Sequence, residues 1–227
     1  MSARRIVVAI DGPAGAGKST VAREVARQLG YTLVDTGALY RGVALAARER
    51  GIGWDDGSSL GRLTGSLQFG FVTSADGEPR LLLDGRDVSA DIRTPELAMG
   101  ASDVSKHPPV RDALLAFQRL LGTRGGVVLE GRDIGTVVFP DAEAKIFLTA
   151  SAESRAARRV QDQESRGIRS DPETTLQEIR ARDAQDQSRL IAPLKPAIDS
   201  IVVDTTDLEF DEVVTRLLEI VRSRTGG

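Results

Sequence analysis

Ile6-Val7-Val8-Ala9-Ile10-Asp11-Gly12-Pro13-Ala14-Gly15-Ala16-Gly17-Lys18-Ser19-Thr20 decides the fold. The apolar run Ile6–Ile10 predicts a short strand buried on both faces. Gly12–Ser19 then fits G-x-x-x-x-G-K-[ST], and a helix is expected from about Lys18 to Leu29, with Val21, Val25 and Leu29 on its apolar face and Gly30 closing it. A strand, a glycine-rich turn and a helix are the setting in which this spacing cradles phosphates. Backbone N–H groups of Gly12, Pro13's neighbours Ala14, Gly15, Ala16 and Gly17, and the helix start at Lys18, Ser19 and Thr20 converge on the anion, helped by the helix dipole. Lys18 has the reach for the β- and γ-phosphates, and the Ser19 hydroxyl is the expected ligand for Mg²⁺. A bound nucleoside triphosphate is the expectation.

Outward from that loop, strands and helices alternate. Leu33-Val34, Val127-Val128-Leu129, Lys145–Leu148 and Ile201-Val202-Val203 read as strands. Helices are expected from about Ala38 to Arg50, around Val110, Leu114, Phe117 and Leu121, and along Val213, Val214, Leu217, Leu218 and Val221. Ser151 is a candidate cap for the arginine-rich segment after it. The rhythm implies a parallel α/β sheet with helices on both faces. One stretch breaks it. Leu67, Phe69 and Phe71 alternate with Gln68 and Gly70, and turns at Asp76-Gly77 and Asp84-Gly85 flank Leu81-Leu82-Leu83. That is a small antiparallel meander inserted into the α/β pattern, and a substrate-facing role would account for it.

Composition narrows the function classes. Hydrophobic residues at 41% and charged residues at 28% are those of an ordinary globular protein, and no apolar run nears the roughly 18 residues of a membrane span. Arg4-Arg5 runs straight into the first strand without a signal-peptide core, so a cytoplasmic location is expected. The absence of cysteine excludes disulfides and thiolate chemistry. The single histidine, His107, beside Pro108-Pro109, is read as a surface loop residue rather than a base. A net charge of −3 gives no global field for nucleic acid, and no apolar heptad suggests a dimer seam, so a monomer acting on small molecules is expected. Only Lys18, Lys106, Lys145 and Lys195 are lysines among 30 basic residues. Genomic base bias explains that at surface positions, whereas at a multi-phosphate site the planar guanidinium fork explains it chemically. The guanine-reading N-K-x-D of switch GTPases is absent. A short P-loop chain with dispersed arginines points to a kinase for a small phosphorylated acceptor.

Several segments together resemble the bacterial cytidylate kinases: Ile10-Asp11-Gly12-Pro13, Asp35-Thr36-Gly37-Ala38-Leu39-Tyr40-Arg41, Gly131-Arg132-Asp133-Ile134-Gly135-Thr136-Val137-Val138-Phe139-Pro140, Lys145–Leu148, Arg182-Asp183 with Asp186 and Arg189, and Ala192-Pro193-Leu194. The resemblance spans essentially the whole chain. It implies a three-layer P-loop NTPase fold with a parallel five-stranded sheet, a β-rich insert for the nucleoside monophosphate and a short lid. It divides the chain into core at 1–35, 106–153 and 173–227, the monophosphate-binding domain at 36–105 and the lid at 154–172. The implied reaction is transfer of the γ-phosphoryl group of ATP, with Mg²⁺, to CMP or dCMP. A kinase for uridylate, adenylate or a metabolite such as shikimate is the alternative enzyme. A non-catalytic nucleotide-binding module is the alternative class, against which the set Lys18, Ser19, Arg41, Arg132 and Asp133 argues.

The resemblance also distributes roles. Arg41 and Arg132 take the acceptor phosphate; Asp133, Arg111, Arg189 and Thr36 face the base; Ser102, Arg182 and Asp186 hold the pentose. The chemistry is consistent with that division. A dianion beside a triphosphate needs several cations, and cytosine needs a carboxylate for its N4 amino group and cationic donors for N3 and O2. Arg182, Asp186 and Arg189 at i, i+4 and i+7 are expected on one helical stripe. Arg155, Arg158, Arg159, Arg166 and Arg169, ahead of Ser170-Asp171-Pro172, match the lid, with Arg155 and Arg159 expected to join Lys18 and Arg132 at the reacting phosphates.

Overall fold

The computed structural model describes residues 4–74, 79–165, 167, 169–189 and 191–225; the expected turn at Asp76-Gly77, and Arg166 of the arginine cluster, lie outside the described residues. Two compact units form, one from residues 1–33 with 124–227 and the other from 34–123.

The first unit is built on a five-stranded sheet. Val7–Asp11 (β1) is buried along its whole length and is followed by helix Lys18–Leu29 (α1) and strand Thr32–Asp35 (β2), whose last two residues open the second unit. After the second unit come Val127–Gly131 (β6), a single π-helical turn Ile134–Val138, Ala144–Thr149 (β7), helices Ala152–Ser165 (α6) and Pro172–Gln187 (α7), Ile201–Asp204 (β8) and Phe210–Arg224 (α8). The strand order is β2-β6-β1-β7-β8, and β1 lies parallel to both neighbours, with Asp11 opposite Gly131 on one side and Phe147 on the other. Ile6, Val8 and Ile10 meet Val21, Ala22 and Val25 of α1 and Val213, Val214, Leu217 and Val221 of α8 in one core. The ends of β1, β6 and β7 therefore emerge side by side, the position where open α/β sheets bind ligands.

The second unit holds helices Thr36–Glu49 (α2), Gly57–Ser66 (α3), Pro95–Val104 (α4) and Pro108–Gly122 (α5), with antiparallel strands Phe69–Thr73 (β3), Pro79–Leu83 (β4) and Arg86–Asp87 (β5). The meander read from the alternation of Leu67, Phe69 and Phe71 is this sheet. The unit runs on past residue 105, where the acceptor-binding segment was expected to end, because Val110 and Leu114 of α5 complete its core with Leu39, Val43, Leu60 and Leu97. His107 also departs from expectation. It is half-buried at the start of α5, with Nε2 2.9 Å from the Trp54 carbonyl oxygen, so it pins a loop rather than lining the surface. No described helix is long and apolar enough to cross a membrane.

Gly12 shows how closely the loop sits on the sheet. Its φ is +150°, and a Cβ there would lie 1.9 Å from the Leu148 carbonyl oxygen of β7. Gly12→Ala must push the loop off the sheet as well as strain the backbone, at a cost of about 2–4 kcal/mol. The urea-unfolding midpoint should fall accordingly, and an unchanged midpoint would show that the loop yields without cost.

Candidate active site

The loop after β1 is built from backbone conformations that suit glycine: Gly15 and Gly17 have φ of +77° and +80°. Gly17 caps α1 with no side chain of its own, leaving the first amides of the helix for a ligand. The Lys18 ammonium rests 2.6 Å from the Pro13 carbonyl oxygen, buried inside the curve of the loop. Ser19 Oγ donates to Glu130 Oε2 at 2.8 Å, joining the loop to the end of β6. A hydroxyl from the first turn of α1 and a carboxylate from the end of β6 thus meet at the mouth of the loop.

Beyond Glu130 the chain turns through Gly131-Arg132-Asp133. Arg132 Nε donates to Asp186 Oδ2 at 2.9 Å, and Arg189 Nη2 lies 2.5 Å from Asp186 Oδ1. Asp186 is only 2% exposed, so one buried carboxylate holds two guanidinium groups. Arg182, one turn earlier on α7, is largely buried nearby, and its Nε has no hydrogen-bond partner in the structure. Helix α7 ends at Gln187, so Arg189 is not on the helical stripe its spacing suggested; it reaches Asp186 from the turn beyond, where Ala192 adopts φ +50° and Leu194 N donates to the Asp186 carbonyl oxygen. Asp133 is buried immediately after Arg132.

Desolvation dominates the electrostatics. Burial, reinforced by Arg132, holds the Lys18 ammonium well below its ordinary range, while Glu130 and Asp11 oppose the shift. Burial, with Arg132 adding, lowers Arg182 to about 10. Lys18, Arg132, Arg182 and Arg189 share one desolvated neighbourhood with the buried carboxylates of Asp11, Glu130, Asp133 and Asp186, so charge of both signs is held there out of water.

The cytidylate kinase family model matches residues 8–223. The cytidylate kinase of Syntrophotalea carbinolica is 49% identical over 97% of this chain and 94% of its own, and that of Pasteurella multocida is 46% identical over 96% of each. The chain belongs to the cytidylate kinase family. Among solved structures, an uncharacterized protein from Eubacterium ventriosum shares the fold with a TM-score of 0.54 at 13% identity, over 97% of this chain and 100% of that one.

The remaining residues singled out by resemblance to the cytidylate kinase family fall in two places. In the second unit, Thr36 is buried in the first turn of α2, and Arg41 Nη2 donates to Asp35 Oδ2 at 2.7 Å while its Nε is buried without a partner. Arg111 lies over the Tyr40 ring at 5.8 Å and donates to the Ser105 carbonyl oxygen, and Ser102 Oγ is buried with no partner. In the first unit, Arg155 is 4% exposed and heavily engaged. It donates to the carbonyl oxygens of Ala150 and Ala14 and, bidentately, to Asp183. It holds the phosphate loop from behind as well as lying beside it. Arg159 pairs with Glu178 across the two helices, and Arg158 bonds Thr205. Ser151 does cap α6, accepting from Ser154 N.

Three residues of the site were given no role from sequence: Glu130, and Asp183 and Asp11, which appear there only within the segments that carry the resemblance. Glu130 had a usable signal, a carboxylate ending an apolar strand, the position from which P-loop proteins hold their metal. Asp11 had none beyond its place before the loop. Its carboxylate accepts from Ile134 N at 2.8 Å and Gly135 N at 2.7 Å, and burial raises its pKa from 3.8 to about 6 against the pull of those bonds. The folded state therefore holds the Asp11 proton more tightly than the unfolded chain. Its contribution to stability is full below about pH 4 and is lost as pH rises through about 6. Urea unfolding of wild type and Asp11→Asn should show the wild type losing ground relative to the variant across pH 4–6 and a constant difference above pH 7. A constant difference across the whole range would show that burial does not shift the acid.

Proposed function

We propose that Lys18, Arg132, Asp133, Arg182, Asp186 and Arg189, with Thr36, Arg41, Ser102 and Arg111, carry the transfer of the γ-phosphoryl group of ATP to CMP or dCMP in the cytoplasm, giving ADP and CDP or dCDP. The observation that carries this reading is the buried Asp186 holding Arg132 and Arg189, with Arg182 beside it, in the electrostatic field of the phosphate-loop lysine. An unphosphorylated metabolite would not require so many cations facing a P-loop. A nucleoside monophosphate would.

An oxygen of the CMP phosphate attacks the γ-phosphorus in line as the bond to the β-phosphate oxygen breaks. The attacking oxygen is already anionic, so no strong general base is needed and catalysis is positioning plus charge stabilisation. Lys18 leaves the Pro13 carbonyl for the transferring group. Ser19 and Glu130 would hold Mg²⁺, which when bound would neutralise part of the phosphate charge. Arg41 and Arg132 take the acceptor phosphate, Asp133 accepts from the cytosine amino group with Arg111, Arg189 and Thr36 on the rest of the base edge, and Ser102, Arg182 and Asp186 hold the sugar. The unpartnered Ser102 hydroxyl and Arg182 Nε support this, because buried polar atoms without partners await them from a ligand. The second unit, residues 34–123, serves as the acceptor-binding domain and 154–172 as the lid, where Arg159 exchanges Glu178 for phosphate and Arg155 lies against the loop.

ADP release measured with CMP, dCMP, UMP and AMP tests the reading; kcat/KM should be highest for the two cytidylates. Asp133→Asn should shrink the CMP-to-UMP preference by about tenfold to a hundredfold, since uracil presents an oxygen where cytosine presents an amino group. An unchanged ratio would mean that Asp133 does not read the base.

Lys18→Ala removes a buried cation from the first turn of α1 and leaves the apolar core intact, so the unfolding midpoint should hold or rise. Turnover should fall at least about a hundredfold. Wild-type kcat in this folded variant would remove Lys18 from the chemistry.

A further inference from the structure

The run Gly131–Pro140 is held from below by two buried ionisable side chains of neighbouring strands. Asp11, at the end of β1, receives the N–H groups of Ile134 and Gly135. The Asp133 carbonyl oxygen receives those of Val137 at 2.9 Å and Val138 at 3.2 Å. The peptide unit linking Asp133 to Ile134 is thus held at both ends, its N–H by Asp11 and its oxygen by the π-helical turn. The orientation of that peptide sets ψ of Asp133, and with it where the Asp133 side chain and the preceding Arg132 point.

The floor beneath the turn is equally fixed. A Cβ on Gly135 would lie 3.3 Å from the Lys145 stem and 3.4 Å from Asp11 Oδ2, so the turn sits in close contact with both. Lys145 cannot easily withdraw, because its ammonium is bound to the Pro140 carbonyl oxygen and, at 2.8 and 2.9 Å, to both oxygens of Asp199. Asp11 is 5% exposed, and although its charge also favours the charged form of Lys18, both of its hydrogen bonds go to the turn after Asp133. Burying a carboxylate there carries a large desolvation cost, and the bonds it makes are to one peptide turn.

We infer that Asp11 is a positioning residue for acceptor recognition: its carboxylate fixes the backbone that presents Arg132 and Asp133 to the monophosphate. The inference rests on the assignment of those two residues to the acceptor. A carboxylate suits the task because both oxygens accept. An amide offers one acceptor and one N–H₂ group, which would face the N–H of Ile134 or Gly135, donor against donor.

The test is steady-state kinetics on Asp11→Asn, with Gly135→Ala as a second variant that leaves the carboxylate in place and lifts the turn from it. Wild-type turnover of CMP is measured first, and its absence would overturn the functional reading and this inference with it. Given that activity, Asp11→Asn should raise KM for CMP roughly tenfold and narrow the CMP-to-UMP ratio in kcat/KM, while KM for ATP rises by a clearly smaller factor, Glu130 remaining opposite Lys18. Gly135→Ala should move the same quantities in the same direction by a smaller factor. Unfolding midpoints identify any variant that fails to fold, in which case the other decides. A KM for CMP unchanged in the folded variants, or a loss shared equally by ATP and CMP, overturns the assignment. The first outcome would leave Asp133→Asn able to alter base preference, so the functional reading would survive it.

Discussion

Concentrated, desolvated positive charge is what the first unit has to hold in place. Lys18, Arg132, Arg182 and Arg189 repel one another, and burial removes the water that would otherwise soften that repulsion. A flexible surface would relax by letting the side chains swing apart. This one is prevented from doing so by carboxylates that are themselves buried: Asp186 between Arg132 and Arg189, and Glu130 near Lys18. Asp11 and Asp133 are buried in the same neighbourhood, so carboxylates from several elements fix the cations in place.

Holding charge rigidly demands a rigid backbone, and the sheet supplies it through close approach. Gly12 lies against the Leu148 carbonyl, Gly135 against the Lys145 stem and the Asp11 carboxylate, and Gly15 against Arg155. Each contact removes room in which the loop or the turn might shift. Arg155 adds a cross-tie, since one guanidinium binds the loop at Ala14, the strand end at Ala150 and helix α7 at Asp183. Its role in the resting protein is structural as much as electrostatic. That follows from Asp183, which no reading of arginine spacing alone would bring into play.

Sequence made the strand–loop–helix, the parallel sheet, the inserted meander and the arginine set legible, because each is written in local spacing or composition. What it hid depends on distant partners. Helix α3 is Gly57-Ser58-Ser59-Leu60-Gly61-Arg62-Leu63-Thr64-Gly65-Ser66, a run of poor helix formers whose helix rests on the Asp56 cap and on burial of Leu60 and Leu63 in the second unit's core. The π-helical turn at Ile134–Val138 cannot be read from its own residues, since Asp11 holds its first amides from another strand. The pairing of Glu130 with Ser19 follows from β1 and β6 being neighbours, a fact of topology. Arg189 shows the opposite error. Regular spacing suggested a helix that stops at Gln187, and the side chain reaches the same carboxylate by a turn instead.

The abundance of arginine divides along the same line between surface and site. Arg4, Arg48 and Arg86 make exposed pairs with Glu143, Glu96 and Glu49, contacts that contribute little and that lysine would serve as well. There the bias of the genome is a sufficient explanation. At the site the choice of residue has a physical consequence. Burial brings Arg182 down to about 10, which leaves it charged at neutral pH. A lysine begins about two units lower, and the same burial would leave it a much narrower margin above neutral pH. Arginine therefore keeps its charge with the wider margin when buried among other cations. Lys18 is the exception, and its place explains why. Its stem must be thin enough to thread the curve of the loop, and its ammonium rests on the Pro13 carbonyl with Glu130 and Asp11 holding part of its charge.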